Sequence, residues 1–244
     1  MKYILPVILL FLGTSLDGVP QDVPNLRASA ESAARSSPGG THKSYATKFS
    51  HAENPISEGG NWEGGKSVGL DWADIATTDG CACGLESGTT GYDDSTALLA
   101  GPWAPNQSAQ ATVHTENQSE KVWEEVEIRL RSALSPHSAT GYEINFRCLK
   151  TKNGYSEIVR WNGPLGDFTY LSRQVGGQFG VAEGDVIKAT IVGSVITVFK
   201  NGVQVAQARD GTFATGQPGM GFDKMKGTGS TRDYAFSRFS ACDQ

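Results

Sequence analysis

The chain has 244 residues, with 21 Lys and Arg against 26 Asp and Glu, a formal net charge of -5. That balance excludes nucleic-acid binding driven by bulk positive charge. Met1 to Leu12 joins a positive start, Lys2, to an apolar run from Ile4 to Leu12, and small residues follow at Gly13, Thr14 and Ser15. This segment is too short to span a bilayer and reads as a signal peptide within residues 1–18, so the mature chain is expected to be secreted or periplasmic, with no membrane partner after cleavage.

Residues 19–44 are rich in Pro, Ser, Ala, Gly and charge, as in Arg35-Ser-Ser-Pro-Gly-Gly-Thr41, and read as a flexible linker. Residues 45–244 then form one domain, since no second linker divides them. Its 30 glycines in 244 residues suit a fold with many turns. Strands are expected from Tyr45 to Ser50, Gln110 to Thr115, Phe168 to Arg173, Val186 to Val192 and Tyr234 to Ala241. Glu125-Val-Glu-Ile-Arg-Leu-Arg131 alternates strictly, with Val126, Ile128 and Leu130 on one side and Glu125, Glu127, Arg129 and Arg131 on the other. Asn201-Gly202 and Asn153-Gly154 each lie between strand-forming runs, where a tight hairpin needs positive φ. Many short antiparallel strands make an all-β, two-sheet sandwich or jelly roll.

If the Asn153-Gly154 loop has two residues, Cys148 faces Val159, Arg147 faces Arg160, and Phe146 faces Trp161. One face then carries Tyr142, Ile144, Phe146, Cys148, Val159 and Trp161; the other carries Glu143, Asn145, Arg147, Leu149, Ile158, Arg160 and Asn162. Two arginines placed directly opposite disfavour each other unless an anion lies between them. With Arg129 and Arg131 from the neighbouring strand, this gives an arginine-rich face whose planar forks suit carboxylate or sulfate and whose amide suits hydroxyls. The expected partner is a polysaccharide, anionic and uronate-containing. The ligand-binding candidates are Arg129, Arg131, Glu143, Asn145, Arg147, Arg160 and Tyr170. The competing reading is a solvated face whose glutamates neutralise its arginines. Trp62, Trp72, Trp103, Trp123, Tyr92 and Tyr170 are available to stack on a sugar, Tyr170 first among them.

Cys81, Cys83, Cys148 and Cys242 are an even set in an exported chain, and one or two disulfides are expected. One intervening residue strains a bond between Cys81 and Cys83, so Cys148 and Cys242 are the better partners for them. No cofactor is required by any motif. A structural calcium is open at Asp71, Asp74, Asp79, Asp93 and Asp94, in a glycine-rich stretch.

Gly184-Asp-Val-Ile-Lys-Ala-Thr-Ile-Val192, Ile196-Thr-Val-Phe-Lys-Asn-Gly-Val-Gln-Val205 and Thr215-Gly-Gln-Pro-Gly-Met-Gly-Phe222 resemble the bacterial concanavalin A-like (laminin-G-like) jelly-roll domains. Phe49-Ser-His-Ala-Glu-Asn-Pro-Ile-Ser-Glu-Gly-Gly-Asn-Trp62 resembles the start of such domains. The resemblance implies a ligand across the concave sheet and a calcium ion in some members. It does not choose among lectins, binding modules, hydrolases, lyases and adhesive domains. Hydrolases of the laminarinase kind carry E-[ILV]-D-x-x-E, from which Glu125-Val-Glu-Ile-Arg-Leu130 departs at its second and third acids. Glu127-Ile-Arg-Leu-Arg131 only echoes the R-x-E-x-R strand of jelly-roll alginate lyases, and His114 in Gln110-Ala-Thr-Val-His114 lacks their Q-I-H context. Carbohydrate binding is the leading expectation; β-elimination on a polyuronate, by the same arginines, and a structural or adhesive surface domain are the alternatives.

Overall fold

A computed structural model of the chain describes residues 42–78, 80–88, 91–225 and 229–244. The expected signal peptide and most of the expected linker lie outside these residues, which all fall within one unit, Thr41–Gln244.

The strands in chain order are β1 (Ser44–Thr47), β2 (Trp62–Gly64), β3 (Ile75–Thr78), β4 (Cys81–Gly84), β5 (Ser95–Leu99), β6 (Gln107–His114), β7 (Trp123–Ser135) and β8 (Ser138–Arg147). They continue with β9 (Tyr155–Gly163), β10 (Phe168–Val175), β11 (Val186–Val192), β12 (Val195–Lys200), β13 (Val203–Arg209), β14 (Gln217–Met225) and β15 (Ala235–Asp243). One sheet runs β13-β12-β11-β6-β15-β4-β3 with β1 added beside β15; the other runs β10-β9-β8-β7-β14-β5-β2. All pairings are antiparallel, and the two sheets form a concanavalin A-like jelly roll.

Alternation dictates the core. Val126, Ile128 and Leu130 of β7, Tyr142, Ile144 and Phe146 of β8, Ile158 of β9, and Met220 and Phe222 of β14 point inward from one sheet. They meet Ala109, Ala111 and Val113 of β6, Ile187, Ala189 and Ile191 of β11, Ile196 and Val198 of β12, and Phe236 and Phe239 of β15. Small residues on β6 opposite large ones on β7 and β14 let the layers approach.

Asn201-Gly202 makes the expected hairpin, with φ of 50° and 79° and Lys200 paired to Val203. Asn153-Gly154 does not. β8 ends at Arg147 and β9 begins at Tyr155, so residues 148–154 form a long loop in which neither Asn153 nor Gly154 has positive φ. Asn145 therefore faces Glu157, Phe146 faces Ser156, Glu143 faces Val159 and Tyr142 faces Arg160. The register differs from the two-residue expectation by an odd number of residues, which exchanges the two faces of β9. Val159 and Trp161 leave the core face, Ile158 joins it, and Arg147 and Arg160 point to opposite sides of the sheet.

The expected disulfides are not formed: all four thiols are free. Ala82 points into the core, so Cys81 and Cys83 point away from it on β4, whereas Cys148 belongs to the core. Cys242 lies near the end of β15 that pairs with β1, while β4 pairs with the opposite end at Ala235 and Phe236. At about 3.3 Å per residue, the separation along β15 far exceeds a disulfide's reach.

A bulge in β7 sets two residues, Arg131 at φ 46° and Ser132, against the single Gly141 at φ 123°. A Cβ on Gly141 would lie 2.5 Å from the Ser132 Cα and 2.7 Å from the Arg131 carbonyl oxygen. Replacing Gly141 by Ala is expected to cost about 2 kcal/mol or more. Urea denaturation followed by Trp fluorescence checks this; an unchanged midpoint would mean that the bulge tolerates a side chain.

Candidate functional site

The outer face of the β10-β9-β8-β7-β14 sheet carries side chains in cross-strand rows. The first row holds Asp223 beside Glu125 beside Arg147. The second runs Gly221, Glu127, Asn145, Glu157, Arg173, and the third Gly219, Arg129, Glu143, Val159, Tyr170. From these rows the acids, Asn145, Val159 and Tyr170, together with Tyr92, Asp94, Trp161 and Phe168, line a cleft of about 50 Å³. Six carboxylates line it: Asp94, Glu125, Glu127, Glu143, Glu157 and Asp223.

Arg129 is the central cation. Its guanidinium donates to Asp94 at 3.2 Å and Glu127 at 2.5 Å, lies 3.0 Å from Glu143, and covers the Trp72 ring with 4.9 Å to the centroid. Burial works against its charge, but Glu127, Glu143 and Asp94 together raise its pKa above the ordinary arginine value. The glycines of β14 make room for this arrangement. A Cβ at Gly221 would lie 2.1 Å from a Glu127 oxygen and 3.0 Å from two Arg129 nitrogens.

A second network spans the cleft. Asn145 donates to Glu143 at 3.0 Å and to Glu157 at 3.4 Å, and the Trp161 indole donates to Glu143 at 2.5 Å. Tyr155 donates to Glu125, and Arg173 pairs with Glu157 at 2.8 Å from the rim. Trp161 is stacked edge-on against Trp72 at 4.4 Å and packs with Phe168, which in turn touches both Tyr92 and Tyr170. The outer ends of this wall are open to solvent, Tyr92 being 44% and Tyr170 52% exposed.

So many acids in one dry place cannot all be charged. Burial, reinforced by the charge of Glu157, pushes Glu125 up to about 8; burial and Glu143 push Asp94 up to about 8 despite Arg129. Burial also raises Glu127 and Asp223 well above the usual carboxylate range, and raises Glu157 less strongly against the pull of Arg173. Three buried acceptors on the cleft have no protein partner: Glu127 Oε1, Asn145 Oδ1 and Asp223 Oδ1. An unmet buried acceptor carries a desolvation cost of about 1–3 kcal/mol unless water or a ligand meets it.

Of the residues expected at a binding face, the structure brings Glu143, Asn145 and Tyr170 to the lining of this cleft and sets Arg129 beneath it, paired with its acids. It places the other three arginines elsewhere. Arg131, twisted out of the alternation by the bulge, donates to the Pro105 and Phe213 carbonyls. Arg147 stacks over Trp123 at 4.2 Å and donates to the Asn153 and Val122 carbonyls, tying the loop after β8. Arg160 pairs with Asp210 at 2.6 Å, the same acid that accepts from the Tyr142 hydroxyl. The arginine-rich face is thus replaced by an acidic cleft. Trp62 belongs to the core, and Trp103, buried, lies under the Lys43 ammonium.

The expected two-residue hairpin turns Trp161 and, by alternation, Glu157 away from this face; nothing in the sequence singled out Phe168 beyond its place in an expected strand. The outward position of Asp223 was legible, since Met220 and Phe222 alternate with Gly219, Gly221 and Asp223. Asp94 and Tyr155 had no local signal. The aspartates considered for calcium form no shared ligand set among the described residues: Asp71 pairs with His137, Asp74 accepts the Lys66 amide, Asp93 Oδ1 is buried without a hydrogen-bond partner, Asp94 joins the cleft, and Asp79 lies outside the described residues. Asp94, Glu127 and Glu143 offer oxygens within 4.8 Å of one another, a spacing that suits a divalent cation. Arg129 already lies on all three, so the set does not fit a metal unless that side chain is displaced.

No protein-family model and no curated protein matches the sequence. Solved structures share the fold. One, described with the endo-acting O-glycanases that prominent members of the human gut microbiota express to initiate mucin breakdown, gives a TM-score of 0.54 at 7% identity over 82% of this chain and 98% of that one. The carbohydrate recognition domain of Emp46p in its metal-free form gives 0.51 at 10% identity over 81% of this chain and 95% of that one. A GH43 protein of Bacillus licheniformis gives 0.50 at 13% identity over 82% of this chain and 39% of that one. At these identities the likeness shows the jelly roll alone.

The folded protein holds the protons on Glu125, Asp94, Glu127 and Asp223 more tightly than the unfolded chain does. Stability should therefore fall as pH rises from the ordinary carboxylate range through about 8. Thermal unfolding between about pH 5 and pH 8 should show a decreasing midpoint, and Glu125→Gln should flatten the fall; a midpoint that rises over this range would contradict the assignment. Arg129→Met leaves the acids without their cation and should lose about 3–5 kcal/mol at pH 8, with a smaller loss at pH 5.

Proposed function

We propose that this is an exported carbohydrate-binding domain whose ligand lies in the cleft against Trp161, Phe168, Tyr170 and Tyr92. The observation that carries the reading is an aromatic wall meeting a floor of buried acceptors, three of them without a protein partner. A sugar ring presents an apolar face for such a wall and a rim of hydroxyl donors for such a floor. The names of the fold's solved relatives, a carbohydrate recognition domain and two kinds of glycan-directed protein, agree with this direction.

The polyuronate version of the reading rested on Arg147 facing Arg160. With those residues on opposite sides of the sheet and both terminal nitrogens of Arg129 paired with carboxylates, an anionic sugar meets repulsion from the remaining acids of this cleft. β-Elimination loses the same support, because no free arginine remains there to neutralise a uronate. Retardation in gels containing neutral and acidic polysaccharides tests both points. Neutral polymers should retard the protein, and Tyr170→Ala should weaken retention by about tenfold. Retention by uronate polymers alone, or retention unchanged in Tyr170→Ala, would overturn the assignment.

One observation favours a second reading, glycoside hydrolysis. Glu125, pushed up to about 8, keeps its proton at neutral pH inside the cleft, the state a general acid requires. If it acts so, the wild type should release reducing ends from a polymer it binds, at a rate that declines above about pH 8, and Glu125→Gln should bind the polymer without cleaving it. Binding with no release of reducing ends leaves a binding domain.

A further inference from the structure

The cleft's charge says more than that a sugar fits. Six carboxylates line it, and two guanidinium groups answer them: Arg129, buried, and Arg173, half-exposed at the rim. Among the described residues lining the cleft there is no lysine, arginine or histidine. The surplus of acid is not spread over solvated surface. Glu125, Glu127, Asn145 and Asp223 are adjacent, Glu125 facing Asp223 on one row and Glu127 facing Asn145 on the next. All four are more than nine-tenths buried.

The polar atoms left over on the cleft lining are acceptors, while one unpartnered donor, Arg129 Nε, lies beneath it. Glu127 Oε1, Asn145 Oδ1 and Asp223 Oδ1 are acceptors, and each lacks a protein donor. A hydroxyl can satisfy one of them. A primary ammonium brings three donors and a positive charge to the same spot. It also removes the reason for the acids to stay protonated, because a cation among buried carboxylates favours their ionised form.

We infer that the ligand is an amino sugar with a free, protonated amine, its ammonium seated among Glu125, Glu127, Asn145 and Asp223 while its ring lies against the aromatic wall. This rests on the carbohydrate reading of the cleft and names the sugar class it selects. An N-acetylated sugar supplies one amide donor and no charge in the same position, and a neutral sugar supplies one hydroxyl. The site therefore discriminates at a single substituent.

Three tetrasaccharides with one backbone make the test: cellotetraose, chitin tetrasaccharide and chitosan tetrasaccharide, which carry hydroxyl, acetamide and ammonium at the same carbon. Titration calorimetry on the wild type at about pH 6, where the amine is charged, should give chitosan at least about tenfold tighter binding than either of the others. Repetition in buffers of different ionisation enthalpy should show protons released on chitosan binding only, since the acids must give up theirs. Asp223→Asn should reduce the ratio of chitosan to cellotetraose affinity. Equal binding of the three, or weaker binding of chitosan, would overturn the amino-sugar inference and leave the carbohydrate reading in place. If none of the three binds, the inference fails; if neutral polymers also give no retention, the carbohydrate reading fails with it.

Discussion

The arrangement of the cleft depends on burying one guanidinium among three carboxylates on the face of a sheet. Arg129 reaches Asp94, Glu127 and Glu143 at once because β7, β8 and the segment before β5 bring those groups to one spot, and because Gly221 of β14 leaves the space their side chains occupy. An ion cluster of this kind is weak evidence for stability, since desolvation offsets much of the attraction. What it does is fix geometry. Glu143, held by Arg129, accepts from Trp161 and from Asn145, and Asn145 reaches on to Glu157. The orientation of the aromatic wall thus follows from the ion cluster beneath it.

The same constraint explains the proton balance. With six acids and two guanidinium groups, the dry cleft holds protons that exposed carboxylates release at neutral pH. The cleft is therefore a place where a proton or a cation is favoured. Natural domains keep such local conflict where it serves binding or chemistry, and elsewhere this sandwich follows ordinary alternation closely.

Alternation made much of the fold legible in the sequence. Seven residues show β7 as a strand with one apolar face, although the structure buries its charged face as well, and β12, the Asn201-Gly202 turn and β13 read as a hairpin because local rules govern them. The site was less legible because it depends on register across β8 and β9. Asn153-Gly154 looks like the same signal as Asn201-Gly202, yet Arg147 draws the carbonyls of Asn153 and Val122 to itself and the chain takes a longer loop. That single difference turned Arg160 away from the cleft and Glu157 and Trp161 into it, changing the inferred ligand charge from negative to positive. Asp94 arrives from a stretch whose sequence suggested only a solvated or calcium-binding loop, and its partner Arg129 lies 35 residues further along the chain.

The measurement that bears most directly on this account is a carboxyl-carbon NMR titration of the protein labelled at its Asp and Glu side chains, with Glu125 assigned by the Glu125→Gln variant. The account predicts a Glu125 carboxyl that titrates at about 8 and shifts when a sugar ligand enters the cleft. A Glu125 signal that titrates in the ordinary carboxylate range, and is untouched by any sugar the protein retains, would contradict it.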